Sequence, residues 1–493
     1  MVRKLLFLCV SSVALSACQP GLTESAPVMA GQAAPITAQE RQQGTQANPD
    51  LLAEFGGAYS GPQASYTESI GRKIAVQSGL SSSPGAFDVA LLNSPINNAF
   101  AIPGGYIYIT RQLVALMNDE AELAAVLGHE VAHVAARHSA KRQSAAQRNT
   151  ILGVLGQVLV GAVAGDSQIG EVLQQGIGTG TQLVTLGYSR SQETQADDLA
   201  VQYLSRAGYD PAAMASALRS LAAQNSLDQQ IAGAGARSVP EWVSTHPDPQ
   251  SRVQRAASHA ASTNVTNGKR NRDAFLTAID GIMYGDDPKH GVVQGRTFVH
   301  PVFRLAFTVP EGFTMQNGTE AVSISGPNAQ ALFSTRAYEG NLETYVMNVL
   351  RDLSKEGGAM PQASVERTSV NGVPAAFAQV RANSGSSQVD VTVFAYAPST
   401  SKAFHFVALS PAGQGLGAMT SMVQSFRTLS ASDAAAIRAR YVRVVTVKAG
   451  DTPTSLADRM AFPDHKLERF LVLNGLDSGA RLAAGQKVKL VTY

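Results

Sequence analysis

VLGHEVAHVAARHSAKR, residues Val126–Arg142, contains three of the nine histidines of this 493-residue chain. Apolar residues recur in it at positions i, i+4 and i+7, which predicts a helix with one buried face: Leu127, Val131 and Val134. On that helix His129 and His133 are four residues apart, so their rings lie on one face and can share one ion. Glu130 lies beside them, close enough to contact a water molecule on that ion.

These residue types at this spacing are typical of a zinc hydrolase. Neutral imidazole nitrogens are preferred zinc ligands, and a catalytic zinc site keeps one position open for water. Zinc lowers the pKa of that water to about 7, and a neighbouring carboxylate can take its proton during attack on a carbonyl. His138 lies nine residues beyond His129, half a turn out of phase, and we interpret it as a surface histidine near the helix end.

A third ligand is predicted in SRSQETQADDLAVQYLSRAGYDP, residues Ser189–Pro211. This stretch has the apolar stripe of a helix, with Glu193 inside the stripe and Asp197 at its edge one turn later. A carboxylate on a buried face costs several kcal/mol unless it is paired or binds a metal. Glu193 is therefore a candidate ligand, and Asp197 can accept an N–H from a ligand histidine. The alternative is that both residues lie on a solvated helix face.

Four motifs occur in an order that resembles the zinc gluzincin peptidases of the HtpX, BepA and CAAX-prenyl endopeptidase group: NAFAIPGGYIYIT, HEVAH, SRSQETQAD and STHPDPQSR. The resemblance covers about residues 50–260. It implies a mainly α-helical, zincin-type metallopeptidase domain, which we place at residues 49–263, with one Zn²⁺ per chain. The implied ligands are His129, His133 and Glu193, with Glu130 as general base and Asp197 supporting a ligand. The family's usual acidic residue two positions after the ligand glutamate is Gln195 here.

The same resemblance implies further site residues. His246 is expected either to cap the metal in a resting state or to stabilise the oxyanion, and Arg252 to pair with charge on the substrate or oxyanion. The alternative is a buried His-Pro turn in which the arginine holds a loop. An edge strand beside the cleft is expected to bind extended substrates through its backbone, unless it is a plain core strand. Its residues are Asn98, Ala99, Phe100, Ala101, Gly104 and Gly105.

The remainder of the chain changes character. Residues 264–297 are expected to be a linker. Residues 298–430 show short alternating apolar runs, which predict an α+β domain with an antiparallel sheet, of unknown role, and a hairpin turn at Asn371–Gly372. Residues 441–493 resemble a LysM module, which implies a βααβ fold and binding of N-acetylglucosamine chains of peptidoglycan. Pro453 replaces a usual apolar residue there, so a module that serves only for packing is the alternative.

The N-terminal sequence predicts export. Residues 1–18 combine basic residues, an apolar run and a lipobox-like end, which indicates a lipoprotein signal peptide with lipidation at Cys18, or otherwise an ordinary signal peptide. Residues 19–48 are interpreted as a flexible tether. Of the two cysteines, Cys9 lies in the predicted signal peptide, so the mature chain is expected to keep only Cys18 and to form no disulfide. The apolar run Ile151–Gly165 is too short to span a bilayer, and is interpreted as a lid-like insert or, less favoured, a membrane-surface contact.

Together these features predict a zinc endopeptidase of the bacterial envelope that is lipid-anchored to the outer membrane and faces the periplasm. Its expected substrates are unfolded or misfolded envelope proteins. The alternatives are an outer-membrane chaperone or assembly factor with little cleavage, or a peptidoglycan-binding structural protein. A net charge of +2 gives no electrostatic reason to expect nucleic-acid binding.

Overall fold

The computed structural model describes residues 28–139, 188–232, 246, 249–353, 363–384 and 387–493. The predicted signal peptide with its lipidation site Cys18, and the insert Ile151–Gly165, lie outside these ranges. Within them, no helix combines the length and the apolar character needed to cross a membrane.

The first part of the chain builds a lobe of helices around a small sheet. Its elements in chain order are α1 (Ala38–Glu54), α2 (Pro62–Ala75), β1 (Asp88–Leu92), β2 (Ala99–Ile102), β3 (Tyr106–Thr110), α3 (Arg111–Leu116), α4 (Glu120–Ala135), α5 (Arg190–Arg206), α6 (Ala213–Ala232) and α7 (Pro249–Ser262). The strand order is β1-β3-β2, so β2 lies at an edge. β1 runs parallel to β3, and β2 runs antiparallel to it.

Helix α4 lies at the centre of this lobe. Every one of its residues except Val134 is buried, which is typical of a helix packed on all sides. The helix begins at Asp119, whose side chain accepts a hydrogen bond from the backbone N–H of Glu122 at 2.9 Å. It packs against α2, α5 and α6, so the predicted ligand helix is held from several directions.

The middle of the chain is dominated by antiparallel sheet. Its elements are α8 (Arg272–Ile279), β4 (Met283–Tyr284), β5 (Val292–Gln294), β6 (Thr297–His300), β7 (Leu305–Thr308), β8 (Thr314–Asn317), β9 (Ala321–Ser325), β10 (Gln330–Arg336), α9 (Leu342–Asp352), β11 (Glu366–Val370), β12 (Val373–Ser384), β13 (Ser387–Ser399), β14 (Lys402–Pro411), α10 (Thr420–Gln424), β15 (Arg427–Thr428) and α11 (Ala431–Ala436). Two sheets form, in the orders β11-β12-β13-β14-β10-β9-β8 and β15-β7-β6-β5. The predicted hairpin is confirmed, since Asn371 and Gly372 both have positive φ, 49° and 79°, between β11 and β12.

The last part of the chain has the predicted βααβ order. It consists of β16 (Arg440–Thr446), α12 (Pro453–Ala457), α13 (Lys466–Leu473) and β17 (Lys487–Thr492). β16 pairs with β17 on one side and with β4 on the other. The predicted multidomain fold, a helical lobe followed by an antiparallel α+β region and a small βααβ unit, is therefore confirmed.

Two segments predicted as a flexible tether and a linker contain regular secondary structure. Residues 38–48 of the predicted flexible tether form the first turns of α1, which begins with a capping box: Thr37 Oγ1 accepts from Glu40 N, and Glu40 Oε2 accepts from Thr37 N. The predicted linker 264–297 contains α8, β4 and β5. α8 is anchored because it buries three apolar side chains in the core of the first lobe: Phe275, Leu276 and Ile279.

Candidate metal centre

Helix α4 places the two predicted histidine ligands side by side. His129 and His133 are almost fully buried, with 0% and 2% of their surface exposed. Their ring centroids are 4.7 Å apart, and their Nε2 atoms approach to 3.0 Å. The spacing of four residues on a straight helix therefore produces the convergence that the sequence predicts.

Helix α5 brings Glu193 to the same point. A capping box between Ser189 and Gln192 fixes the start of α5, so Glu193 falls in its first turn and faces α4. Glu193 is fully buried; its Oε1 is 3.3 Å from His133 Nε2, and its Oε2 is 3.6 Å from His129 Nε2. Burial alone would raise the pKa of Glu193, but the neighbouring histidines hold it well below its usual value.

His246 contributes a fourth buried donor. Its Nδ1 lies 3.0 Å from Glu193 Oε1 and 3.3 Å from His129 Nε2. The ligand atoms of His129, His133, Glu193 and His246 all lie within 4.8 Å of one another. Four ligands placed tetrahedrally at about 2.0–2.1 Å from a zinc ion are about 3.3 Å from each other. The five separations of 3.0–3.6 Å between these side chains are close to that value, so the four side chains can converge on one zinc ion.

A second group of charges holds the ligands in place. Asp197 Oδ1 lies 2.9 Å from His129 Nδ1, the nitrogen that faces away from the cluster. Arg252 donates from Nε and Nη2 to the two oxygens of Asp197, at 2.8 and 2.6 Å, and from Nη1 to Glu193. Burial would raise the pKa of Asp197, but the Arg252 charge outweighs it and keeps that pKa low. Arg252 thus compensates two buried carboxylates.

Glu130 differs from the other carboxylates of the site. It is fully buried, yet neither carboxyl oxygen accepts a hydrogen bond from any residue in the described ranges. His246 Nε2 lies 3.5 Å from Glu130 Oε1. Burial raises the pKa of Glu130 above its usual value, although the nearby histidines oppose the shift. A buried carboxylate with unused acceptors beside a metal-ligand cluster is suited to take a proton from a reacting water.

The histidines themselves are strongly perturbed in this arrangement. Burial would lower the pKa of His129, but hydrogen bonds with Asp197 and Glu193 raise it to about 9. Burial lowers the pKa of His133 well below its usual value. The carboxylates thus act mainly on His129, while His133 remains neutral, the form in which a histidine binds a metal.

The prediction for His138 is wrong. His138 is fully buried, its Nδ1 lies 2.8 Å from His133 Nδ1, and its Nε2 lies 3.0 Å from Gln195 Oε1. The helical phase argument fails because α4 ends at Ala135 and Arg137 takes a left-handed conformation, with φ 52°. That turn brings His138 back against the ligand helix.

Sequence reasoning also missed Tyr188. Its ring stacks on that of His133, with centroids 3.6 Å apart and an interplanar angle of 18°. No spacing rule identifies this tyrosine, and its position just before the predicted ligand helix was the available signal.

The residues expected to bind substrate lie just before β2, on β2 and in the turn that follows it. Ala99 to Ile102 are all buried, and Phe100 stacks on Tyr108 with ring centroids 4.7 Å apart. β2 packs against α4 and pairs with β3 on one side, as the edge strand of its sheet. This geometry accommodates both the edge-strand and the core-strand interpretation.

Comparison with known proteins agrees with this geometry. Residues 62–260 match peptidase family M48, and residues 445–491 match the LysM domain. The beta-barrel assembly-enhancing protease of Yersinia pestis is 32% identical over 226 residues, which are 45% of this chain and 44% of that protein. Its counterpart in Escherichia coli (strain K12) is 31% identical over 214 residues, 43% of this chain and 42% of that protein.

A more distant relative is the mitochondrial metalloendopeptidase OMA1 of Schizosaccharomyces pombe, 27% identical over 221 residues, 44% of this chain and 59% of that protein. The chain thus spans less than half the length of the bacterial relatives it matches. The matched region contains α4 and α5 and the four-donor cluster between them. The chain therefore contains a domain of peptidase family M48, which carries this cluster, and further along a LysM domain.

Proposed function

We propose that this protein is a zinc-dependent endopeptidase. The observation that carries the proposal is Glu130, a fully buried carboxylate with no hydrogen-bond donor among the described residues, beside four metal donors that all lie within 4.8 Å of one another. A purely structural metal site has no need of such a group, because an unused buried carboxylate is costly. A hydrolytic site needs it as the proton acceptor.

Each residue of the site then has a defined task. His129, His133 and Glu193 would hold the zinc ion, which when bound lowers the pKa of a water molecule and polarises a carbonyl. Glu130 takes the proton released by the attacking water and delivers it to the leaving amine. Asp197 keeps the hydrogen of His129 on Nδ1, so that Nε2 presents its lone pair to the cluster. Arg252 neutralises the carboxylates that assemble this arrangement.

We further propose that the substrates are misfolded or stalled proteins of the bacterial envelope. Supporting this, the two bacterial relatives are named beta-barrel assembly-enhancing proteases, and the N-terminal sequence predicts export and lipidation at Cys18. The proposed location is the outer membrane, facing the periplasm. The LysM domain is proposed to bind peptidoglycan, which co-sedimentation of the full chain with purified sacculi tests.

The substitution Glu130→Gln tests the catalytic assignment. It keeps size and polarity but removes the proton acceptor, so the variant should bind zinc normally and lose casein hydrolysis by about 10²–10⁴-fold. Zinc content by elemental analysis and release of casein peptides are the measurements. Glu311→Gln, an exposed residue outside the site, is the matched control. Casein turnover at the wild-type rate in the E130Q variant would remove Glu130 from its proposed role.

The substitution His133→Ala tests the ligand set. Removing one donor leaves the cluster incomplete, so the purified variant should contain little zinc and show no cleavage. His290→Ala, which lies outside the cluster, should retain both. A full complement of zinc in H133A would contradict the assignment of His133 as a ligand.

A further inference from the structure

His138 and Gln195 form a chain of contacts that leads to the ligand His133. The His138 ring bridges the two, with Nδ1 2.8 Å from His133 Nδ1 and Nε2 3.0 Å from Gln195 Oε1. His133 and His138 are both buried, and their ring centroids are 5.0 Å apart. These contacts therefore reach His133 on its Nδ1 side. Its Nε2, on the opposite side of the ring, lies 3.3 Å from Glu193.

The Gln195 amide turns its oxygen toward His138, and this orientation sets the direction of both hydrogen bonds. An amide oxygen can only accept, so His138 carries its hydrogen on Nε2 and donates it to Gln195 Oε1. A neutral imidazole with hydrogen on Nε2 has a lone pair on Nδ1, which can accept from His133. His133 then carries its hydrogen on Nδ1 and directs the lone pair of Nε2 into the cluster. That is the form a metal ligand requires.

The opposite arrangement does not work. If His138 carried hydrogens on both nitrogens, its Nδ1 would donate and His133 Nδ1 would have to accept. The hydrogen of His133 would then occupy Nε2, the atom that faces Glu193 and His129, and His133 could not bind a metal through it.

We propose that His138 and Gln195 are positioning residues that fix the tautomer and ring orientation of the metal ligand His133. The proposal gives a role to Gln195, which stands where the family resemblance leads one to expect an acid. The proposal rests on the proposed zinc site. It goes beyond that site because neither His138 nor Gln195 belongs to the four-donor cluster.

The test is the zinc affinity of the full-length protein, measured by competition with a chromophoric chelator. Gln195→Leu removes the acceptor at similar size, and it should raise the zinc Kd by about 10–100-fold, the range typical for loss of a group that orients a ligand. Gln195→Glu retains an acceptor and should bind zinc far more tightly than Q195L. Gln254→Leu, the same substitution at an exposed position of α7, should leave the zinc Kd unchanged.

A double-substitution cycle distinguishes this role from general destabilisation. If Gln195 acts through His138, then His138→Ala with Q195L should weaken zinc binding no more than His138→Ala alone. The visible absorption spectrum of the cobalt-substituted protein should shift in H138A and Q195L, because it reports the geometry around the metal. If Q195L does not fold, Gln195→Ala in the same cycle carries the test.

The outcomes are separable. A folded Q195L with the zinc Kd and cobalt spectrum of the wild type would overturn the positioning role. Additive losses in the cycle would overturn the coupling between the two residues. Absence of zinc binding by the wild-type protein would instead contradict the proposed function.

Discussion

His246 supplies the fourth donor of the cluster, where a catalytic zinc site would hold water. Its Nδ1 is as close to Glu193 and His129 as the other donors are to one another. Three ligands remain without it, so His246→Ala should retain zinc. Removing the imidazole opens a position for water, and we expect casein hydrolysis to rise several-fold.

This experiment also separates the two roles that the sequence left open for His246. The same purified sample should be assayed for zinc content and for initial rate of casein cleavage. A fall in rate at normal zinc content would contradict the capping role. It would favour the alternative, in which His246 stabilises the charge that develops on the substrate.

At the scale of single residues, helical spacing predicts the position of a side chain only as far as the helix continues. His129 and His133 could be placed because both lie within α4, where a spacing of four residues means one face. Glu193 could be placed because a carboxylate in an apolar stripe needs a partner. His138 could not, because the left-handed residue Arg137 breaks the helical phase before it, and no local pattern predicts that turn.

Helix α1 shows at the scale of elements how composition can mislead. Its sequence is rich in Gln and Ala and contains Pro49, which favours a tether, yet residues Thr37 to Glu40 carry the capping-box pattern T-x-x-E. The helix is also tied to the turn that follows α4, since Arg137 Nε donates to Glu40 Oε1 at 3.1 Å. This contact joins residues 97 positions apart, which a local pattern cannot predict.

A substitution at Gly44 tests whether α1 packs against the turn between β2 and β3. A methyl group there would overlap the carbonyl oxygen of Pro103 and come within 2.5 Å of Tyr106 Cδ2. On an exposed helix, Gly→Ala would stabilise by about 1 kcal/mol. Here the overlap should dominate, and Gly44→Ala should destabilise the protein by about 1–3 kcal/mol, seen as a lower thermal midpoint.

Gly85→Ala is the matched control, because its Cβ would meet only Ser83 Oγ, at 3.8 Å. Its thermal midpoint should be close to that of the wild type. A G44A variant more stable than the wild type would mean that α1 does not pack on the turn between β2 and β3.

On the scale of the whole molecule, the LysM domain is built into the first lobe. Lys489 of β17 is fully buried, and its Nζ donates to the carbonyl oxygens of Ala115, Leu116 and Met117, at 2.8, 3.3 and 2.6 Å. These carbonyls end α3, just before α4 begins, so Lys489 acts as a cap on a helix C-terminus. Family resemblance predicts the two domains separately. It could not predict this contact, which joins residues more than 370 positions apart.

Lys489 makes the stability of this junction depend on pH. Burial lowers the pKa of Lys489 from 10.5 to about 7, with Glu122 and Asp119 opposing and Arg272 reinforcing the shift. Between these two values the unfolded chain holds a proton that the folded protein lacks, so the free energy of unfolding rises with pH. The gain is up to about 1.4 kcal/mol per pH unit. As a neutral amine, Lys489 can still donate to the α3 carbonyls.

Lys489→Met removes both the titration and the cap while keeping the apolar stem. At about pH 7 the variant should already be less stable, because three buried carbonyls lose their donor. Its deficit against the wild type should then grow toward about pH 10, since only the wild type gains stability there. Urea midpoints of full-length protein across this range are the measurement, with Lys487→Met on the same strand as control. A deficit that stays constant or shrinks as pH rises would contradict a lowered pKa for Lys489, and with it the dry, closed junction that causes it.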